Sequence, residues 1–241
     1  MARTETVTRR AVRRPSAQIT PKLFRFLRDL ERNNEREWFQ KNKQRYLDEI
    51  RDPLLGFVED FAPRLEKISP FLLADARPVG GSLFRIYRDV RFSRDKRPYK
   101  THAGLHFRHV DGKDVHSAGL YLHLEPGSVF AAIGIWHPDA ETLRLVREAI
   151  VAHPERWKRA SSGRAFRSTF ELDGERLQRP PRGYSADHPQ IEELKYKSFT
   201  ASAPYTQRQA CAPDFIDHFA QTCKRASPLL EFLTRSIGLD W

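Results

Sequence analysis

The sequence predicts an α+β domain: a central antiparallel sheet, a meander of at least three strands, flanked by N-terminal and C-terminal helices. Three observations carry this expectation. In the first third, apolar residues recur at steps of three and four, the spacing of one helix face. In the middle, short apolar or alternating runs are separated by Asp111-Gly112 and Pro126-Gly127, which are turn signals between strands. The last stretch returns to helical spacing through Phe215, Phe219 and Cys223. Strands clustered between blocks of helices are the α+β pattern.

Met1 to Gln18 carries Arg3, Arg9, Arg10, Arg13 and Arg14 against a single acid, Glu5, with almost nothing to bury. A disordered basic tail is expected there, with residues 19–241 forming the domain. Thr20-Pro21 is a helix start, a capping residue followed by proline at the first helical position. Leu23, Phe26, Leu27 and Leu30 make its apolar face, and Asn33-Asn34 ends it. Trp38 and Phe39 are expected in the core. The series Leu47, Ile50, Leu54, Phe57, Phe61, Leu65, Ile68 predicts a longer helix with a kink or restart at Asp52-Pro53.

Gly80-Gly81 breaks the helical pattern. Phe84, Ile86, Val90 and Phe92 then alternate with polar residues, which predicts a strand that leaves the sheet. Strands follow over Thr101 to Val110, Val115 to Leu124 and Val129 to Trp136, and the third, nearly all apolar, should be central. Pro138 opens a helix carrying Leu143, Val146 and Ile150, which His153-Pro154 ends before a short helix with Trp157. Phe166 to Leu172 reads as a strand, Pro180 to Tyr184 as a loop, and Ile191 to Leu194 as one helical turn. Pro213 begins the last helical region, with Leu229, Leu230 and Leu233 past Pro228. No repeat and no linker interrupts the chain.

The charge balance is +11, from 42 Lys and Arg against 31 Asp and Glu. Such a surplus favours anionic partners. The two cysteines, Cys211 and Cys223, form no metal-type spacing and suggest a reducing compartment. No apolar run approaches the roughly 20 residues of a membrane span, so no membrane association and a cytoplasmic location are expected.

The densest chemistry lies between Arg85 and His102, where seven of eighteen residues are Arg or Lys, opposed only by Asp89 and Asp95. Crowded cations repel one another unless anions sit among them. The candidate ligand-binding residues are Arg85, Arg88, Asp89, Arg91, Ser93, Asp95, Lys96, Tyr99, Lys100 and His102. As a strand, Arg85, Tyr87, Asp89 and Arg91 would share one face and Arg88 the other. The competing account is a structural Arg–Asp network or a solvated basic loop. Lys195, Tyr196 and Lys197 form a second basic patch, either a solvated helix end or a wall facing Lys96 and Lys100.

Residue types for acid–base chemistry are present. Asp89 or Asp95 could serve as base, Tyr99 or His102 as acid, and Lys96 or Arg91 as oxyanion stabiliser. No spacing fixes their geometry, and no Walker loop, GxGxxG, GxSxG or HExxH occurs, so any reaction is left open. His102 and His106 would share a strand face with His123 on the return strand. No carboxylate is clearly placed with them and cations surround them, so neither a metal nor a cofactor is expected.

Several segments together resemble a family named for a domain of unknown function, DUF2461. They are Phe24-Arg25-Phe26-Leu27, Asn33-Asn34 through Arg36-Glu37-Trp38-Phe39 to Asn42-Lys43, and the run from Arg85 to His102. Gly134-Ile135-Trp136 and Pro181-Arg182-Gly183-Tyr184 leading to Lys195-Tyr196-Lys197 complete the set. The resemblance spans Thr20 to Trp241 and implies one intact domain but no activity. The leading expectation is a pocket for a small phosphate- or carboxylate-bearing ligand. A nucleic-acid-associated protein and an interaction module with a basic docking loop are the alternatives, and the oligomeric state is left open.

Overall fold

The computed structural model describes residues 18–112 and 116–241. The expected tail, Gln18 apart, and the start of the expected second strand at Val115 lie outside them. Helix α1, Pro21–Arg32, begins where Thr20 and Pro21 predict and buries Leu23, Phe24, Phe26, Leu27 and Leu30. A short α2, Arg36–Lys41, buries Phe39, while Trp38 packs partly buried on Phe26 at 5.7 Å between centroids. Then α3, Lys43–Tyr46, runs through a π turn at Leu47–Arg51 into α4, Asp52–Glu66. The α-helix restarts after the π turn at Asp52, where a kink or restart is expected. Proline lacks the N–H that would continue the ladder, and the turn before it widens to adjust.

The meander is present as β1, Ala103–Arg108, β2, Gly119–Glu125, and β3, Ser128–Ile135. The β2–β3 turn closes on a Glu125↔Ser128 pair. Gly127 there takes φ +85°, a conformation that glycine adopts without Cβ strain. With β4 at Glu171–Leu172 and β5 at Phe199–Tyr205, the five strands run in the order β1-β2-β3-β5-β4, so the apolar β3 is central, as expected. Its far partner is β5, Phe199–Tyr205, paired from Val129↔Tyr205 to Ile135↔Phe199. No strand is expected from the sequence over β5. The strand expected over Phe166 to Leu172 is mostly not formed. Residues Arg164–Arg167 make helix α7, and only Glu171–Leu172, β4, pairs at the edge.

Helix α5, Ala140–Ala152, starts two residues after Pro138, where the Asp139 carboxylate accepts the Thr142 N–H at 2.8 Å. Helix α6, Pro154–Ser162, carries the buried Trp157, and α8, Ile191–Leu194, is the single turn expected. After α9, Gln207–Ala210, the long α10, Phe215–Ser236, continues through Pro228. The Ser227 hydroxyl donates to Lys224 O at 2.9 Å, which offers that carbonyl a partner where Pro228 has no N–H.

Helices cover one face of the sheet. Leu120, Leu122 and Leu124 of β2 point into it and are buried. Phe61 of α4 joins Phe107 of β1 and Phe219 of α10 at 4.8 and 4.9 Å between centroids. Strand alternation sends the intervening Tyr121, His123 and Glu125 to the opposite face. Among the described residues, no helix is long and apolar enough to cross a membrane.

Candidate functional site

The basic segment starts along the free edge of β1. Phe84 N–H donates to Gly104 O at 2.9 Å. Lys100 N–H then donates to Ile86 O at 2.8 Å and Arg88 N–H to Pro98 O at 2.9 Å, with Tyr87 bridging Tyr99. The segment is thus a loose hairpin that joins no regular strand. The expected strand displaying Arg85, Tyr87, Asp89 and Arg91 on one face does not form. Asp89 Oδ1 accepts the Arg91 N–H at 3.2 Å and Asp95 Oδ1 accepts the Arg97 N–H at 3.0 Å. Each is a local aspartate turn that competes with a ladder.

Two groups near the chain's start anchor this hairpin. The Asn34 side chain brackets the Tyr99 backbone, donating from Nδ2 to Tyr99 O and accepting the Tyr99 N–H, both at 3.0 Å. Phe39 stacks on the buried Tyr99 ring at 4.1 Å and meets the Tyr87 ring edge-on at 6.0 Å. Tyr99 is therefore a packing residue, and its hydroxyl is shifted up by burial first.

The charges divide into two groups. Asp95 pairs with Arg88 at 2.6 Å and Arg97 at 2.8 Å, and Asp89 pairs with Arg91 at 2.7 Å. Lys96 Nζ donates to Val90 O at 3.0 Å. For Arg88, Asp89, Arg91 and Asp95, the ion pairs are those of the structural-network account. Ser93 lies in the same tip, beside Phe92, which is 95% exposed. Arg85 and Lys100 differ: among the described residues neither has an acid in ion-pair range. Arg85 is exposed, whereas Lys100 is partly buried with its ammonium 5.2 Å from the Phe84 ring. Burial and, after it, Arg85 lower the Lys100 proton affinity.

The Arg97 and Arg88 guanidiniums hold the Asp95 carboxyl well below the usual carboxylate range. Its folded-state pKa lies below the unfolded value near 4. The stabilisation is present above that value and lost as pH falls below it. Both arginines are at least partly solvated, so the effect is that of a surface pair. In melting curves from pH 6 to pH 3, Asp95→Asn should lower the neutral melting temperature slightly. It should also flatten the decline below about pH 4 relative to wild type.

Beside the hairpin, the face of β2 turned away from the helices carries a polar chain. Tyr121 hydroxyl is 3.0 Å from His123 Nδ1, His123 Nε2 is 3.1 Å from Glu125 Oε2, and Thr101 Oγ1 donates to Glu125 Oε1 at 3.0 Å. Gly104 makes room for the Tyr121 ring, since a Cβ there would meet its hydroxyl at 2.5 Å. The His123 ring stacks on Phe130 at 4.6 Å and faces His102, also at 4.6 Å. Burial, followed by repulsion from His123, pulls the His102 pKa down to about 4, with Lys100 and Arg88 adding to it and Glu125 opposing. From the sequence no carboxylate is clearly placed with these histidines, and Glu125 supplies one. Glu125 falls just past the expected strand Val115 to Leu124, whereas Tyr121-x-His123-x-Glu125 is an alternating strand pattern that could have revealed it. His106 lies farther along β1, opposite Tyr121 and 5.9 Å from the Phe84 ring.

A cavity of about 340 Å³ borders the hairpin, lined by Gly81, Phe84, Arg85, His106 and Arg108 among others. A larger one, about 570 Å³, lies between α4 and α10, where Arg64 is already paired with Asp217. The second basic patch does not face Lys96 or Lys100. It leads into β5 at the other side of the sheet, with Lys195 paired to Glu192, Lys197 to Glu175, and Tyr196 buried.

In comparison with known proteins, a family model described as "Conserved hypothetical protein (DUF2461)" matches residues 22–232. No curated protein and no solved structure matches the chain.

Proposed function

Because the chain belongs to the DUF2461 family, whose description names no activity, we propose its function from the site: it binds a small phosphate- or carboxylate-bearing ligand beside Arg85, Arg88, Lys100 and His102. The observation that carries this reading is Lys100, a partly buried ammonium with no acid in ion-pair range among the described residues. A charge withdrawn from water is ordinarily paired. An anion held by Lys100 and Arg85 would be that partner, and Arg88 would add a guanidinium suited to its geometry. Asp95 then serves to aim Arg88, and the residues of the tip frame the entrance.

Thermal unfolding with phosphate at matched ionic strength tests the proposal. A ligand that binds only the folded state raises its melting temperature. Wild type should gain, and Lys100→Ala should gain much less. Without phosphate that substitution should change stability by under about 1 kcal/mol, since it removes a cation–π contact together with a repulsion. A wild type indifferent to both phosphate and small carboxylates sinks the reading.

One observation favours a second ligand class. Exposed Phe92, with the Arg91 guanidinium 5.8 Å from its ring, offers the aromatic-and-cation surface on which single-stranded bases stack. Non-specific contacts give roughly 10⁻⁴ to 10⁻⁶ M at physiological salt. Nanomolar binding of a random single strand there would promote this reading over the first.

A further inference from the structure

We propose that His102, His123 and Glu125 form a binding site for a divalent transition-metal ion, with Tyr121 and Thr101 orienting the ligands. One donor atom from each of the three lies within 4.8 Å of the other two. Donors that share one ion sit at most about 4 Å apart, twice a bond of roughly 2.0–2.1 Å. Small side-chain rotations would therefore close the trio. The His123 Nε2 to Glu125 Oε2 separation, 3.1 Å, is already that of two ligands bound side by side on one ion.

The surrounding hydrogen bonds suit the same assignment. A metal-bound imidazole ordinarily hands its other N–H to an oxygen, which fixes tautomer and ring orientation. Here His123 Nε2 shares its proton with Glu125, and an ion replacing that proton would leave Nδ1–H to donate to the Tyr121 hydroxyl oxygen 3.0 Å away. The carboxylate is held likewise, with Thr101 on Oε1 and Oε2 turned toward His123. The Phe130 ring stacked on His123 restricts rotation of that ligand. His102 has no hydrogen-bond partner among the described residues and faces His123, so its lone pair is available. Two imidazoles and one carboxylate select zinc or an ion such as Fe²⁺ or Co²⁺ over Mg²⁺ or Ca²⁺, which prefer all-oxygen shells.

The neighbouring cations are the main objection, since Arg88 and Lys100 both act on His102. A dication held by one carboxylate keeps a positive charge and, with three protein ligands, at least one open position. An anion in that position would offset the ion, Arg88 and Lys100 together. The metal site does not depend on the anion reading, and the two fail separately.

The test uses the full chain without a polyhistidine tag. After chelator treatment and removal of the chelator, it is titrated with Zn²⁺ by calorimetry and with Co²⁺ by absorption spectroscopy. One ion per chain is expected, with a Co²⁺ d–d spectrum of a low-coordinate nitrogen–oxygen site. His102→Ala and Glu125→Gln should abolish stoichiometric binding while circular dichroism shows the fold retained. Tyr121→Phe should weaken it by about 10–100-fold, the usual cost of losing an orienting partner. Lys100→Ala should bind the metal at least as well as wild type while losing the response to phosphate. Substoichiometric binding by wild type, or binding unaltered in both His102→Ala and Glu125→Gln, overturns the site.

Discussion

Phe39→Ala should destabilise the protein by about 3–5 kcal/mol, the usual cost of removing a buried phenyl ring, and should loosen the basic hairpin with it. Phe39 is 1% exposed. Its ring is shared between the N-terminal helices and the hairpin, touching Tyr46 at 5.5 Å on one side and Tyr99 and Tyr87 on the other. Deleting it opens a cavity and removes the surface on which Tyr99 lies. At about 2–4 °C per kcal/mol for a chain of this size, the melting temperature should fall on the order of 10 °C. Asn34→Ala is the informative companion, because it leaves the ring and removes two hydrogen bonds to the Tyr99 backbone. Both variants should raise hydrogen exchange at the Arg88 and Lys100 amides, which close the hairpin. Phe39→Ala with unchanged exchange there would show that the aromatic stack does not hold the segment.

That coupling bears on what could be read from the chain alone. Helix α1 and the restart at Asp52-Pro53 were legible because their signals are local. Thr20-Pro21 and the spacing of Leu23, Phe26, Leu27 and Leu30 need no distant partner. The centrality of β3 followed from Val129, Ala131, Ile133 and Ile135, which leave little polar surface for solvent. Strand β5 was missed for a physical reason: between Phe199-Thr200 and Tyr205 it runs Ala201-Ser202-Ala203-Pro204, with none of the β-branched or aromatic residues that mark a strand. Its Ala201 and Ala203 are nonetheless buried. The Arg85 to His102 stretch stood out as chemistry, yet its alternation was misread as a strand, since Asp89 and Asp95 turn the chain locally. The ligand trio was hidden by its dispersal. His102 lies before β1 and Glu125 at the end of β2, and only the Ala103↔Leu124 register brings them together.

Gly134→Ala should cost about 3–4 kcal/mol, and a control at Gly127 can separate its two causes. Both glycines have positive φ, +127° at Gly134 and +85° at Gly127. The turn position is open, with nothing within 4 Å of a Cβ, whereas at Gly134 the added atom would lie 1.9 Å from Phe199 O. Phe199 and Thr200 belong to the neighbouring β5, and Gly134 pairs with Thr200 across the ladder. The obstacle is backbone, so no side-chain rotation relieves it, and β3 and β5 must separate locally or lose register. Gly127→Ala should pay only the backbone strain of a left-handed residue, about 1–2 kcal/mol. The excess at Gly134 then measures the close approach of two strands at the centre of the sheet. Urea unfolding of both variants checks this. Equal losses at the two positions would mean that the β3–β5 contact yields more easily than its geometry implies.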